Sequence, residues 1–137
     1  MTVYLADTSA WTRSTHSAVS ETWRRLIAFD RLAVCAPVRL ELLYSAPDQT
    51  VFVRTQKGLD SLPRALVDET VSARAEEVQS LLVRRSQHRG PGPVDLLIAA
   101  AADVAGLTLL HYDRHFDTIA EASGQPAEWV APRGTLD

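Results

Sequence analysis

Short apolar segments that alternate with helical patterns are the feature that most constrains this fold. The segments at residues 2–6, 32–36 and 107–111 are too short for helices and are typical of buried strands. Between them, residues 20–29 and 68–87 carry apolar side chains at helical spacing. Strands that alternate with helices pair in parallel through right-handed crossovers. The sequence therefore predicts a three-layer α/β/α sandwich around a central, mainly parallel sheet.

Proline and glycine mark further boundaries along the chain. Pro37 suits the first turn of a helix that runs to about residue 46, because its missing N–H is not needed there. The stretch HRGPGP at residues 88–93 predicts a loop, after which Asp95 opens an alanine-rich helix that stops at Gly106. The remaining predicted elements are helices over residues 48–59 and 116–122, an edge strand over residues 128–130, and either a turn or a brief strand over residues 65–67.

Length and composition predict one domain over residues 1–137, since 46% of the residues are hydrophobic and no linker or repeat divides them. No apolar run approaches the roughly 20 residues that a membrane span requires, and Asp7 interrupts the apolar N-terminal stretch. We therefore expect a soluble, cytoplasmic protein. The single Cys35 lies in an apolar run, which predicts a buried core residue and excludes an intramolecular disulfide and a zinc-thiolate site.

The overall charge excludes a tight, non-specific DNA binder, because the formal net charge is −3 and the isoelectric point is about 5.8. All but one of the 14 basic residues are arginines, whose planar guanidinium groups form bidentate hydrogen bonds with phosphate and carboxylate groups. Arg13 and Arg114 lie beside acidic positions, and His88 and Arg89 lie in the loop rich in glycine and proline. These residues either contact a phosphate or a partner, or are solvated surface residues.

Acidic residues fall where a parallel sheet places its ligand site, at the carboxyl ends of the strands. Asp7 ends the first strand, Glu41 lies about one turn into the helix after the second, Asp113 follows the third, and Asp95 opens the alanine-rich helix. Clustered carboxylates repel one another unless cations lie among them, and oxygen ligands select Mg²⁺ or Mn²⁺. Such ions support phosphoryl transfer, because they activate water and stabilise both oxygens of an in-line displacement.

Each acidic residue also has a purely structural interpretation. Asp7 and Asp95 can serve as helix caps, and Asp113 as an ordinary turn residue with Asp117 as an alternative ligand. Glu41 shares a helix face with apolar neighbours, which a structural role explains less well. A non-catalytic α/β module whose acidic rim binds a basic partner segment therefore remains an alternative to an enzyme.

Taken in order, the segments DTSAW, PVRLELLYSA, PVDLLIAAAA, HYDRHFD and AEWVAP resemble the PIN-domain family, and within it the VapC-type ribonuclease toxins. The resemblance extends from about residue 3 to residue 132. It implies an α/β/α PIN fold and a Mg²⁺- or Mn²⁺-dependent endoribonuclease that acts on RNA. It also implies a cognate VapB-type antitoxin whose C-terminal segment lies in the catalytic groove, and a homodimer.

The resemblance assigns roles to particular residues. Asp7, Glu41, Asp95 and Asp113 match the family's acidic quartet, which makes them the candidate catalytic and metal-binding residues. Among them, Asp7 and Asp95 match the most direct metal ligands, and the other two would complete the shell, orient the water or hold a second ion. Ser9 matches the small hydroxyl residue that follows the first aspartate and would support the metal ligands.

Overall fold

The chain folds as a four-stranded parallel sheet between two layers of helices. A computed structural model describes residues 1–136. Its strands are β1 (Tyr4–Ala6), β2 (Leu32–Ala33), β3 (Thr108–His111) and β4 (Ala127–Trp129), in the spatial order β2-β1-β3-β4. Every pairing within this sheet is parallel, so the carboxyl ends of the strands share one edge. The predicted fold class is confirmed.

Within residues 1–136, seven helices connect and flank the strands. They are α1 (Thr8–Trp11), α2 (Ser20–Ala28), α3 (Ala36–Tyr44), α4 (Gln49–Asp60), α5 (Glu69–Arg84), α6 (Pro93–Val104) and α7 (Arg114–Ser123).

Two apolar clusters hold the layers together, and the period-two alternation of the strands divides the sheet residues between them. Leu5 and Leu109 lie in the larger cluster, which includes the inner faces of α3, α5, α6 and α7. Ala6 and Leu110 lie in the smaller cluster, with residues of α1 and α2 on the opposite face of the sheet. Helix α6 contributes a run of buried small residues, Ala99 to Ala102, which lets it pack closely against its neighbours.

Several boundaries differ from the sequence prediction. The prediction that α6 opens at Asp95 is wrong, because the helix begins at Pro93 with Gly92 as its N-cap. Proline suits the first helical position, since its φ angle is fixed and its missing N–H would have no helical partner there. Strands β1, β2 and β3 are shorter than predicted, and β4 begins one residue earlier than predicted. Beyond the end of β2, Val34 forms an isolated bridge with Arg64. The one-turn helix α1 was not predicted.

Two other local predictions, at Gly106 and at Cys35, are confirmed. Gly106 follows α6 with a φ of 71°, a left-handed conformation that glycine adopts without strain. Cys35 is fully buried, and burial raises the pKa of its thiol to about 11. Among residues 1–136, no helix is both long and apolar enough to cross a membrane.

Candidate active site

Asp7 lies at the edge of the sheet where the strands end. We call it the acidic edge, because Asp7, Glu41, Asp95 and Asp113 lie along it. Asp7 directly follows β1, and its side chain caps α1: Oδ2 accepts a hydrogen bond of 2.8 Å from the Ser9 backbone N–H. The residue is only 5% exposed. A carboxylate this deeply buried is costly unless charged or hydrogen-bonding groups compensate it, and here a helix N-terminus supplies part of the compensation.

Asp95 lies in the first turn of α6, where its Oδ2 accepts a hydrogen bond of 3.1 Å from the Gly92 N–H. Burial raises the pKa of its carboxyl group above the usual 3.8, and the negative charges of Asp7 and Asp113 raise it further. The Gly92 hydrogen bond opposes this change in pKa. Asp95 therefore closes the capping box at the start of α6, and it also experiences repulsion from Asp7 and Asp113.

Asp113 caps α7 just beyond the end of β3. Its Oδ1 accepts a hydrogen bond of 2.9 Å from the His115 N–H, and its own N–H donates to Nδ1 of His111 at 3.2 Å. Both contacts hold the backbone that carries the carboxylate. Asp113 can therefore have a structural role at the start of α7 and still be a candidate site residue.

Glu41 differs from the other three acidic residues because it is exposed on α3 and not confined among apolar neighbours. Its Oε1 accepts a hydrogen bond of 2.9 Å from the Thr8 hydroxyl, which joins α3 to the helix that Asp7 caps. Both Glu41 and Asp7 lie close enough to Cys35 for their charges to raise the pKa of its thiol. Glu41 therefore lies on the same edge as Asp7.

The fold brings the four predicted site residues to one edge without forming a closed ligand cage. Within the part of the chain that the structure describes, no three His, Cys, Asp or Glu side chains are arranged so that they could hold a metal ion as they stand. Each of the four carboxylates instead accepts a hydrogen bond from the protein. Their oxygens nevertheless match the ligands that Mg²⁺ and Mn²⁺ prefer, and a cation would relieve the repulsion that acts on Asp95.

Ser9 connects two of these carboxylates across the sheet. Its N–H holds Asp7, and its hydroxyl oxygen accepts a hydrogen bond of 2.9 Å from the N–H of Tyr112, the residue before Asp113. The sequence singled out Ser9 as a support for the site, but a link to a backbone 103 residues away could not be inferred from local pattern.

Asp117 is not one of the four site residues, and its carboxylate is hydrogen-bonded to an aromatic side chain. Both of its carboxylate oxygens accept from the indole N–H of Trp129, at 3.0 and 3.1 Å. Its Oδ1 is also 3.7 Å from Nε2 of His111, a fully buried atom without a hydrogen-bond partner in the described residues. Burial lowers the pKa of His111, so the ring stays neutral near pH 7. Asp117 thus lies beside His111, whose ring accepts a hydrogen bond from the Asp113 N–H. The sequence did not indicate this arrangement.

The two flanks of the acidic edge differ in chemistry. On the side of α3, a pocket is lined by Thr8, Leu40, Glu41, Tyr44 and Ser45, and the side chains of Leu40 and Tyr44 are 68% and 92% exposed. On the side of β4, a second pocket is lined by Tyr112, Asp113, Arg114, Trp129, Arg133 and Gly134. One flank is therefore largely apolar, and the other is cationic and aromatic.

Comparison with known proteins identifies the family of this chain. The family model of the PIN domain matches residues 4–122. Ribonuclease VapC18 of Mycobacterium tuberculosis is 40% identical over 136 residues, which cover 98% of this chain and 99% of the relative. Ribonuclease VapC51 of the same organism is 41% identical over 136 residues, covering 98% and 97% of the two chains.

Solved structures show the same fold. A DNA-bound VapBC from Salmonella typhimurium superimposes with a TM-score of 0.76 at 20% identity, covering 96% of this chain and all of the other. VapBC2 from Rickettsia felis, bound to a promoter DNA fragment, gives a TM-score of 0.71 at 19% identity, covering 93% and 98% of the two chains. Together with the family match and the two ribonucleases, these findings show that the chain belongs to the PIN-domain family, among the VapC ribonucleases.

Proposed function

We propose that this chain is a toxin endoribonuclease that hydrolyses RNA phosphodiester bonds at its acidic edge, with the help of a divalent cation. The observation that carries the proposal is that Asp7, Glu41, Asp95 and Asp113 lie on one edge of the parallel sheet, each held by a hydrogen bond. Asp95 is half-buried, and burial together with the charges of Asp7 and Asp113 raises its pKa. Membership of a ribonuclease family supports RNA as the substrate.

We assign the cation to Asp7, Glu41, Asp95 and Asp113, and we propose Mg²⁺ with Mn²⁺ as a substitute, because all of the donors are hard oxygens. When bound, such an ion supplies charge stabilisation to a phosphoryl group and makes water a better nucleophile near neutral pH. Asp7 and Asp95 are proposed as the direct ligands. This choice rests on the family resemblance; both residues are more buried than Glu41 and each is oriented by a backbone N–H, as Asp113 is too.

The protein's own groups would then position the substrate and the water. Glu41 is exposed and tethered by the Thr8 hydroxyl, which suits it to orient an attacking water. Asp113 is fixed by two hydrogen bonds: its backbone N–H donates to Nδ1 of His111, and its carboxylate accepts from the His115 N–H. Rigid support of this kind preserves the geometry that an in-line displacement requires.

We further propose that a VapB-type antitoxin neutralises the enzyme, which would act in the cytoplasm, where its RNA substrates are found. The support comes from the structural neighbours, which include VapBC complexes from several bacteria. The homodimer implied by the family resemblance stays a prediction, and sedimentation of the purified protein checks it.

Thermal unfolding with and without metal tests the proposed site. A ligand at 100 times its dissociation constant stabilises the native state by about 2.7 kcal/mol, which for 137 residues corresponds to roughly 9 °C. We expect Mn²⁺ to raise the Tm of the wild type, and the increase to be largely lost in Asp7→Asn. Glu69→Gln, which changes an exposed carboxylate at the N-terminus of α5, is the matched control.

The same experiment distinguishes the enzyme from a non-catalytic acidic module. A Tm that saturating Mn²⁺ and Mg²⁺ leave unchanged would contradict the metal site and favour an acidic rim that binds a basic protein segment. An equal rise in Tm for the wild type and for Asp7→Asn would place the metal elsewhere.

A further inference from the structure

A cationic turn next to Asp113 forms one flank of the acidic edge. This turn lies in the segment after β4, which two hydrogen bonds fasten to the end of β3. The Val130 N–H donates to the His111 carbonyl at 2.8 Å, and the Leu136 N–H donates to the Tyr112 hydroxyl at 3.0 Å. Arg133 lies between these two anchor points.

The backbone of the turn is itself well defined. Both the N–H and the hydroxyl of Thr135 donate to the Pro132 carbonyl, at 3.2 and 2.6 Å, and Gly134 has a φ of 78°, which favours glycine. The guanidinium of Arg133 lies 5.8 Å from the centre of the Trp129 ring, in the range of a cation–π contact. The indole of Trp129 is in turn fixed by Asp117. The charge of Arg133 is therefore held at a defined place.

Arg114 supplies a second cation to the same pocket. It is exposed at the first position of α7, directly after Asp113, and it lines the pocket of about 290 Å³ together with Arg133 and Trp129. Neither arginine forms an ion pair with a carboxylate of residues 1–136. The pocket on the α3 flank has no cationic residue in its described lining.

A substrate with a phosphate backbone meets an electrostatic obstacle here. The chain has a net charge of −3, and the proposed site adds further carboxylates at the point of reaction. Phosphate contacts by arginine supply most of the salt-dependent affinity of proteins for nucleic acids. A strand that lies across the edge gains such contacts on the β4 flank and none from the lining of the α3 pocket.

We propose that Arg114 and Arg133 form a phosphate-binding subsite for single-stranded RNA, which fixes the strand on the β4 side of the acidic edge. This inference rests on the proposed ribonuclease function. It adds that the bound RNA strand extends from the four carboxylates toward β4. Because the contacts are to the backbone, the subsite contributes affinity for any RNA sequence.

Binding of a short, fluorescein-labelled, single-stranded RNA tests the subsite, measured by anisotropy in EDTA over a series of KCl concentrations. The slope of log K against log salt is negative, and each lost phosphate contact reduces its magnitude by about 0.7 for a single strand. This amounts to about fivefold weaker binding at 0.1 M salt if the affinities converge at 1 M. We expect this change in Arg114→Ala and in Arg133→Ala, and about twice the change in slope in the double variant. Arg133→Lys should retain most of the slope.

Arg24→Ala provides the matched control. Arg24 is exposed on α2, which leads toward the amino end of β2 and therefore away from the acidic edge. We expect its salt slope to equal that of the wild type. The subsite would be overturned if both pocket variants kept the wild-type affinity and salt slope, or if they lost no more affinity than Arg24→Ala. It would also be overturned if the wild type showed no measurable RNA binding.

A second arm separates this inference from the proposed function. In Mg²⁺, loss of a phosphate contact made equally in the ground and transition states raises KM and leaves kcat nearly unchanged. Metal-dependent cleavage with an unaltered KM in both pocket variants would refute the subsite and leave the nuclease intact. Slope changes in EDTA without any cleavage in Mg²⁺ or Mn²⁺ would support the phosphate subsite and refute the nuclease.

Discussion

The replacement Ser9→Ala tests how the acidic edge is held together. The Ser9 hydroxyl oxygen accepts a hydrogen bond from the Tyr112 N–H, and Tyr112 is only 6% exposed. Alanine keeps the backbone N–H that holds Asp7, so the substitution removes only the acceptor for Tyr112. A buried donor that loses its partner costs about 1 to 3 kcal/mol, and the half-exposed position of Ser9 favours the lower part of this range because water can reach it.

We therefore expect Ser9→Ala to lose about 1 to 2 kcal/mol of unfolding free energy. At about 2.1 cal/mol/K per residue, this corresponds to a Tm about 3 to 7 °C lower for 137 residues. Urea denaturation and calorimetry measure the loss, and hydrogen exchange of the Tyr112 amide locates it. RNA cleavage should fall as well, since the next residue is Asp113.

Ser72→Ala is the control, because Ser72 is exposed on α5 and its side chain forms no hydrogen bond within residues 1–136. Its stability should stay within about 0.5 kcal/mol of the wild type. A Ser9→Ala variant that is as stable as Ser72→Ala, with a Tyr112 amide still protected from exchange, would refute a stabilising role for this hydrogen bond.

Three further outcomes follow from the structure. The pKa of Asp95 is higher in the folded than in the unfolded protein, so ionisation of this residue destabilises the fold as the pH rises above 3.8. In urea denaturation without metal, Asp95→Asn should therefore be more stable than the wild type at pH 7. This difference in unfolding free energy should shrink as the pH falls toward 3.8. Cys35, with a pKa of about 11, should resist iodoacetamide at pH 8 until the protein is denatured, as mass spectrometry would show. Arg74→Met should cost about 1 to 2 kcal/mol in denaturation, because it removes a 2.8 Å contact to the part-buried Asp103; a neutral result would contradict this.

The layers of the fold and the positions of the four carboxylates could be predicted because both depend on local pattern. Apolar segments bounded by polar residues mark β1 and β3, and helical periodicity marks α2 and α5. Parallel pairing then places Asp7 at the same edge as the residues that follow β3. The boundaries were less accurate, since a one-turn helix such as α1 has no periodicity to detect.

The resemblance points to Ser9 as a supporting residue, but the contacts that support the site could not be predicted, because they join distant parts of the chain. The hydroxyl of Ser9 meets the backbone of Tyr112, and the indole of Trp129 meets Asp117. In the sequence, Arg133 is an arginine between a proline and a glycine near the end of the chain, and only the anchored turn places it in a pocket with Asp113.

Cleavage of total RNA by the purified protein tests the central claim most directly, with the wild type beside Asp95→Asn and with Mg²⁺, Mn²⁺ or EDTA. We expect discrete products from the wild type in either metal, none in EDTA, and none from Asp95→Asn, whose fold is retained because it loses a destabilising charge. Equal cleavage by the wild type and the folded variant, or cleavage by the wild type that persists in EDTA, would contradict a metal-dependent nuclease at this edge.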